Sequence, residues 1–381
     1  MPLNTIPNKG LTSRGYPSDR LVTPIIINGD MSVAQRGTSG TGFGPSKTGY
    51  QLDRFAFRKV GGDSAVFTIS QDTDVPSGQG FANSMKIDCT TALADGSIPS
   101  SQWVRIRYRI EGQDLQLIKK GTSSAETLTM CFWVKSPKTG THIVSIYDDD
   151  NTRLIAKSYT VSSANTWEKK TIAFEGDTTG TLTNDNSSAF RIEWHLQSGA
   201  DYQSGSLGTT WHAFDSTKTS VGQVNIGDST ANNFFLTGVQ LEVGEFDSTT
   251  IPSFPFESYE SNLRRCERYF ENQTANGSCQ IAHAFGGSSA RCYFQYRTKK
   301  RTAPTITLAT AGNGDGEISF LTKGGAYVGT IGTHQPLNVA IDRFNIDDAG
   351  GYGSTGWSEG DAIFFYVNGN NYVIWEADAE L

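Results

Sequence analysis

The chain has 381 residues, a formal net charge of −7, 41 glycines, 36% hydrophobic residues and 11% aromatics. At roughly 150 residues per domain, this length makes two or three domains, each able to bury its own core. The negative charge argues against nucleic acid as a main partner, no apolar run nears the ~20 residues of a membrane helix, and the glycine-rich polarity favours short strands over helices.

Residues 1–24 hold Pro2, Pro7, Pro17 and Pro24 with Gly10 and Gly15 and few apolar side chains. No helix forms on such a sequence, and the segment reads as an extended arm without a secretory signal region. Lys9, Arg14 and Arg20 against Asp19 give it a side-chain charge of 3 − 1 = +2. An arm of this kind can dock along a neighbouring subunit or protein.

The first domain spans 25–256 and opens on a strand ending at the Asn28-Gly29 turn. Residues 36–49, RGTSGTGFGPSKTG, read as loop. They are no phosphate loop, because Ser46, not Gly, precedes Lys47-Thr48 and the expected helix is missing. Strand patterns follow over 50–60, 65–70, 83–89, 102–111, 127–136, 141–148, 154–161, 168–174, 189–196 and 234–243. Many antiparallel strands joined by polar turns make a two-sheet sandwich.

Within 102–111, Val104, Ile106, Tyr108 and Ile110 share one face, and Trp103, Arg105, Arg107 and Arg109 share the other. Three guanidiniums beside an indole suit a ligand face that stacks on sugar rings and grips acidic groups. The same row also suits pairing with acids on a neighbouring strand or subunit. The Gly/Ser-rich loop after Trp194 carries Tyr202 and Trp211 as candidate sugar-stacking rings, while Trp194 falls on the core face. Asp148, Asp149 and Asp150 form an acidic turn, either a plain solvated hairpin or a set of carboxylate ligands for a cation, without EF-hand spacing. His142, His195, His212, His283 and His334 have no metal-ligand spacing, and His195 is placed outward. Glycosidase chemistry needs two carboxylates across a cleft, for which Glu193 and Glu168 are the candidates, but no spacing joins them and no enzyme is expected.

The run 233–243 alternates as a closing strand, with Phe235, Thr237, Val239, Leu241 and Val243 on one face. Gly244, Pro252 and Pro255 stop it, and 257–270 then reads as a short junction helix with a Tyr259/Leu263/Cys266/Phe270 stripe. The strand code resumes over 271–381 as a smaller β-sandwich, with Asn368-Gly369 as its strongest hairpin signal and Trp357 at a glycine-flanked loop tip. Cys89, Cys131, Cys266, Cys279 and Cys292 form no CxxC pair and read as reduced thiols.

The runs FFLTGVQLEVGEF and PFESYESNLRRCERYFE resemble a pattern of bacteriophage tail-fibre and virion structural proteins. There a carbohydrate-binding jelly roll of the family 4/9 type ends on TGVQLEVG, and a PFE…Y…C.RYYE segment follows. IIINGDMSVAQRGTSGTGF (25–43), FWVKSPKTGTHIVSIYDDD (132–150) and NTWEKKTIAFEGDTTGTLTNDN (165–186) are similar to the same family, so the resemblance covers roughly residues 25–270. It implies an all-β fold: an N-terminal jelly roll, a junction helix and a C-terminal sandwich. It implies a virion protein made in the host cytoplasm, a tail fibre or related appendage that attaches to host-surface glycan. The alternative is a capsid decoration or head-fibre protein without receptor binding. Relatives of this jelly roll often hold a structural Ca²⁺, which would fall to Asp148, Asp149 and Asp150; no other cofactor is implied. A homotrimer, docked on other virion proteins through residues 1–24, is the expected assembly.

Overall fold

The computed structural model describes residues 23–45, 47–62, 64–94, 96–284, 290–309, 318–321, 327–328, 334–348 and 358–381. The chain divides into two units, Met1–Ser258 and Tyr259–Leu381. The fold is all-β: a jelly-roll sandwich with short 3-10 turns, a short α-helix and a smaller C-terminal β-sandwich.

The first unit has thirteen strands among its described residues. They are β1 (Ser39–Phe43), β2 (Gly49–Leu52), β3 (Phe55–Val60), β4 (Val66–Asp72), β5 (Ser84–Thr91), β6 (Trp103–Glu111) and β7 (Leu128–Lys135). Then come β8 (Gly140–Asp148), β9 (Arg153–Val161), β10 (Glu168–Phe174), β11 (Ser188–Ser198), β12 (His212–Ala213) and β13 (Asn233–Val243). A six-stranded sheet runs β1-β4-β5-β13-β7-β10, and a seven-stranded sheet runs β12-β9-β8-β11-β6-β3-β2. All pairings are antiparallel, and one core fills the space between, with Phe57, Phe67, Ile106, Phe132, Trp194 and Leu236 fully buried.

Three local features depart from the sequence reading. Residues 50–60 are not one strand: Arg54 turns at φ +71° and makes β2 and β3 a hairpin. The 36–49 segment is not all loop, since β1 pairs with β4 there. The alternation of β13 also does not hold end to end. Phe234 and Leu236 face the core before Gly238, and Val239 and Leu241 face it after. The pairing of β13 with β7 shifts between Thr237 and Gln240, and Gly238 sits at φ +62°, where a Cβ would lie 2.6 Å from the Phe81 ring. A bulge at this glycine exchanges the two faces of the strand.

The opening segment 25–28 runs as bends, not as the expected strand, and it is fastened to β13 by another close approach. A Cβ on Gly29 would lie 2.1 Å from the Val239 carbonyl oxygen, and the Gly29 carbonyl accepts the Val239 N–H at 2.9 Å. Only glycine lets these two backbones meet.

In the second unit the helix α1 covers Tyr259–Glu267, shorter than the expected 257–270 because Phe270 already begins a strand. Its buried residues are Asn262, Cys266 and Glu267, while Tyr259 is exposed, so the apolar stripe is only partly used. The strands are β14 (Phe270–Ala284), β15 (Ala290–Gln295), β16 (Thr305–Leu308), β17 (Ile318–Leu321), β18 (Tyr327–Val328), β19 (His334–Leu337), β20 (Arg343–Asp348) and β21 (Ala362–Asp378). The sheet order is β18-β17-β21-β14-β15-β20-β19, with β16 also on β21. The long β14–β21 pair carries three register shifts, and the core of this unit includes Phe294, Phe344, Phe365, Ile374 and Trp375. The hairpin expected at Asn368-Gly369 is absent: β21 runs through it, with Val367 opposite Gly277 and Tyr372 opposite Ala275. Its flanks pair with β14 rather than with each other, so the local turn signal yields to non-local pairing.

Candidate functional site

The face of the seven-stranded sheet turned away from the core carries a cluster of charged side chains in adjacent register. On β6, Val104, Ile106, Tyr108 and Ile110 enter the core, so Trp103, Arg105, Arg107 and Arg109 take the opposite side. On β11, Phe190, Ile192 and Trp194 enter the core and leave Arg191, Glu193 and His195 beside that row. On β3 the same rule places Arg58 outward between Phe57 and Lys59. Cross-strand register sets Arg58 against Arg105 and Arg105 against His195, Arg107 against Glu193, and Arg109 against Arg191.

The row is not the open stripe expected from the sequence. Arg105 and Arg107 are only 6% and 8% exposed. Arg105 Nη1 lies 2.6 Å from Glu193 Oε2, and Arg107 Nη2 lies 2.6 Å from Glu193 Oε1. Burial alone would raise the Glu193 carboxyl, but Arg105 and Arg107 override it and hold it well below the glutamate range. The Arg105 guanidinium also lies 4.3 Å from the Trp103 ring centre and 5.4 Å from that of Tyr202. Arg191 stacks 4.0 Å from the Tyr147 ring centre and meets Asp149 Oδ1 at 2.8 Å. His195 shares the outer face but is fully buried rather than exposed, with Nε2 2.9 Å from Ser145 Oγ. Burial, then Arg105, pushes its pKa far below the usual histidine value.

Several donors on this floor have no partner among the described residues. Arg105 Nε and Nη2, Arg58 Nε, Arg109 Nε and His195 Nδ1 are all buried and unbonded. Burial and the neighbouring Arg107 lower the pKa of Arg109. A buried donor left unbonded carries a penalty, so these nitrogens add to the unfavourable charge density beneath the half-buried Arg58 and Arg109.

No protein-family model matches the sequence, and no curated protein does. Among solved structures, the chain is similar to the family 11 carbohydrate-binding module of a cellulosomal cellulase of Clostridium thermocellum. The identity is 14% over 55% of this chain and 98% of that one, with a TM-score of 0.28. It is similar also to the enzymatically active domain of tailspike protein 4 of bacteriophage CBA120. The identity there is 13% over 50% of this chain and 19% of that one, with a TM-score of 0.27. Likenesses this distant say nothing of ligand or activity.

The structure therefore gathers Trp103, Arg105, Arg107, Arg109 and Tyr202 into one neighbourhood. Trp211 lies elsewhere: it packs 5.8 Å from Phe190 at the edge of the core and donates from Nε1 to the Glu175 carbonyl at 2.7 Å. Trp357 lies outside the described residues, as do residues 1–22 of the expected arm.

The reading of Asp148, Asp149 and Asp150 as cation ligands does not fit. Asp148 is buried against Lys120 Nζ at 2.6 Å and caps the turn by accepting the Asp150 and Asn151 N–H groups, each at 3.0 Å. Asp149 turns to Arg191 and to Ser188 Oγ at 2.6 Å, and Asp150 accepts the Thr183 N–H at 2.8 Å. The three carboxylates diverge and are already engaged, and the described residues hold no group of three or more His, Cys, Asp or Glu fit for a metal. The two glycosidase candidates are also apart. Glu168 is on β10 of the other sheet, where it accepts the Ser162 and Ser163 N–H groups at 2.8 Å.

Sequence reading missed Arg58, Arg191 and Tyr147 as members of the face. Alternation in 55–60 and 188–198 would have set Arg58 and Arg191 outward, but only sheet order places them beside β6.

Proposed function

We propose that the first unit binds a glycan on the outer face of its seven-stranded sheet, and that the chain is a non-catalytic attachment protein on a bacteriophage particle. One observation supports the binding reading: a row of adjacent arginines, of which Arg58 and Arg109 stay half-buried, bordered by the half-buried rings of Trp103, Tyr147 and Tyr202. Such rings stack on sugar faces while fixed donors set orientation. Binding is favoured over hydrolysis because Glu193, held ionised between two guanidiniums, has no proton to donate at neutral pH. The virion setting rests on the sequence resemblance over residues 25–270, with residues 1–24 as the mount on a neighbouring virion protein. A trimer would raise a weak single-site affinity by a factor of roughly 10²–10⁴.

The test is binding of the purified full chain to intact cells from a panel of bacterial strains and to their isolated surface polysaccharides. Binding to at least one strain, reduced by Arg109→Ala and by Trp103→Ala, is the expected result. Binding that both variants leave untouched would move the site off this face, and no binding to any strain would remove attachment.

A further inference from the structure

Five arginines, Arg58, Arg105, Arg107, Arg109 and Arg191, occupy adjacent register positions on β3, β6 and β11. Among the described residues two carboxylates touch them, Glu193 and, at the edge, Asp149. The next outward residue of β6, Glu111, accepts from Gln113 Nε2 at 2.6 Å at the strand end. The five guanidiniums with their two touching acids sum to 5 − 2 = +3, on a chain whose net charge is −7. Both Glu193 oxygens are consumed by Arg105 and Arg107. The side chains of Arg58 and Arg109 have no hydrogen-bond or ion-pair partner among the described residues, and Arg105 keeps Nε and Nη2 unbonded although nine-tenths buried.

An arginine donates and never accepts. A neutral sugar hydroxyl both donates and accepts, so it is best met by a mixed floor of amides, carboxylates and hydroxyls. A floor of surplus guanidiniums is matched instead by a group that only accepts and carries negative charge, held by two parallel N–H bonds. From Arg105 to Arg109 the row extends about 13 Å, with flanking strands about 5 Å to either side. That is room for an extended chain bearing repeated anionic groups rather than for one small ion.

We propose that the ligand of this face is an acidic polysaccharide, whose carboxylate or phosphate groups pair with Arg58 and Arg109, the two arginines of the β3 and β6 rows that stay half-buried rather than buried. This rests on the reading that the face binds a glycan, and it adds the charge class. Arg105 and Arg107 act as positioning residues, since both are buried and spent on Glu193. The surplus charge is then the recognition device: it is tolerated in the free protein and neutralised when the chain docks.

The experiment uses the full chain and four polysaccharide probes: neutral dextran, carboxymethyl-dextran, polygalacturonate and poly(glycerol phosphate) teichoic acid. A DNA duplex serves as a non-glycan polyanion. The expected result is at least tenfold tighter binding to one acidic probe than to dextran, weakening as salt rises from 50 to 300 mM, with the carboxylate and phosphate arms separating the two sources. Arg109→Gln and Arg58→Gln lower that binding several-fold without moving the thermal melt, and Arg109→Lys recovers part of it. Dextran bound as tightly as the acidic probes, or affinity indifferent to salt, would overturn the acidic class and leave glycan binding standing. If no polysaccharide binds, glycan binding itself fails. Equal binding of the DNA duplex would make the face a general polyanion surface and overturn the proposal as well.

Discussion

Replacing Glu193 by glutamine tests the central ion pair of the sheet. Glu193→Gln preserves shape and one acceptor oxygen but removes the only counter-charge that Arg105 and Arg107 contact among the described residues. Both guanidiniums are less than a tenth exposed, so water can relieve little of the loss. Removing one partner of a buried pair costs about 3–5 kcal/mol. In a domain of roughly 150–250 residues each kcal/mol moves Tm by about 2–4 °C, so the melt should fall by about 6–20 °C. Urea unfolding followed by tryptophan fluorescence reads the change well, because Trp194 is buried on the same strand and Trp103 stacks on Arg105. The pH dependence has a defined sign. The folded carboxyl lies below its ordinary value of 4.5. Its stabilisation is therefore complete above that pH and is lost as pH falls toward the folded value. The gap between wild type and Glu193→Gln should be full at pH 7 and shrink below about pH 4.5. A penalty under about 1 kcal/mol at pH 7, or a gap that stays flat down to pH 3, would refute the pairing argument.

Two further outcomes follow from buried ionisable groups. Burial pushes the fully buried His142 down to about 4 from its ordinary 6.5. Its neutral form then supplies stability above pH 6.5 that is lost as pH falls to about 4, up to about 3 kcal/mol; His142→Gln should flatten that limb of the urea–pH profile by one proton's worth, and an unchanged slope would count against it. In the second unit, Lys300 Nζ meets Glu271 Oε2 at 2.5 Å with both groups about 1% exposed. Lys300→Met should destabilise that unit by about 3–5 kcal/mol, visible as faster amide exchange along β14 and β21, and unchanged exchange would show the pair to be dispensable.

Strand periodicity carried most of the architecture, because alternation is a local property and each buried face is written into one segment. What it could not carry was exposure. Arg105 and Arg107 were set on the correct side of β6, yet their burial depends on Glu193, 86 or more residues later, and on Tyr202 folding back over Arg105. The same gap explains Asp148, whose partner Lys120 lies on a different element. Turn chemistry failed in two directions. Asn368-Gly369 has ideal hairpin residues but lies within a strand, since β14 is long enough to pair with both flanks. Gly238 looked like an ordinary small residue in an alternating strand, and only the close approach of Phe81 and the positive φ reveal that it resets which side faces inward.

The pairing of β14 with β21 has a mechanical consequence. Phe270 lies opposite Asp378 and His283 opposite Ala362. The first residue of the sheet's opening strand and the last residue of its closing one thus sit at the same end of one antiparallel ladder. Tension applied between those two points peels the ladder as a zipper, loading its cross-strand bonds one after another instead of sharing the force in shear. Resistance to pulling is a matter of that route and its barrier, not of the equilibrium stability given by the Phe294–Trp375 core. Force led through Phe270 and Asp378 would open this unit early, whereas force entering at Phe270 and Ala362, opposite ends of the pair, would load the whole ladder at once.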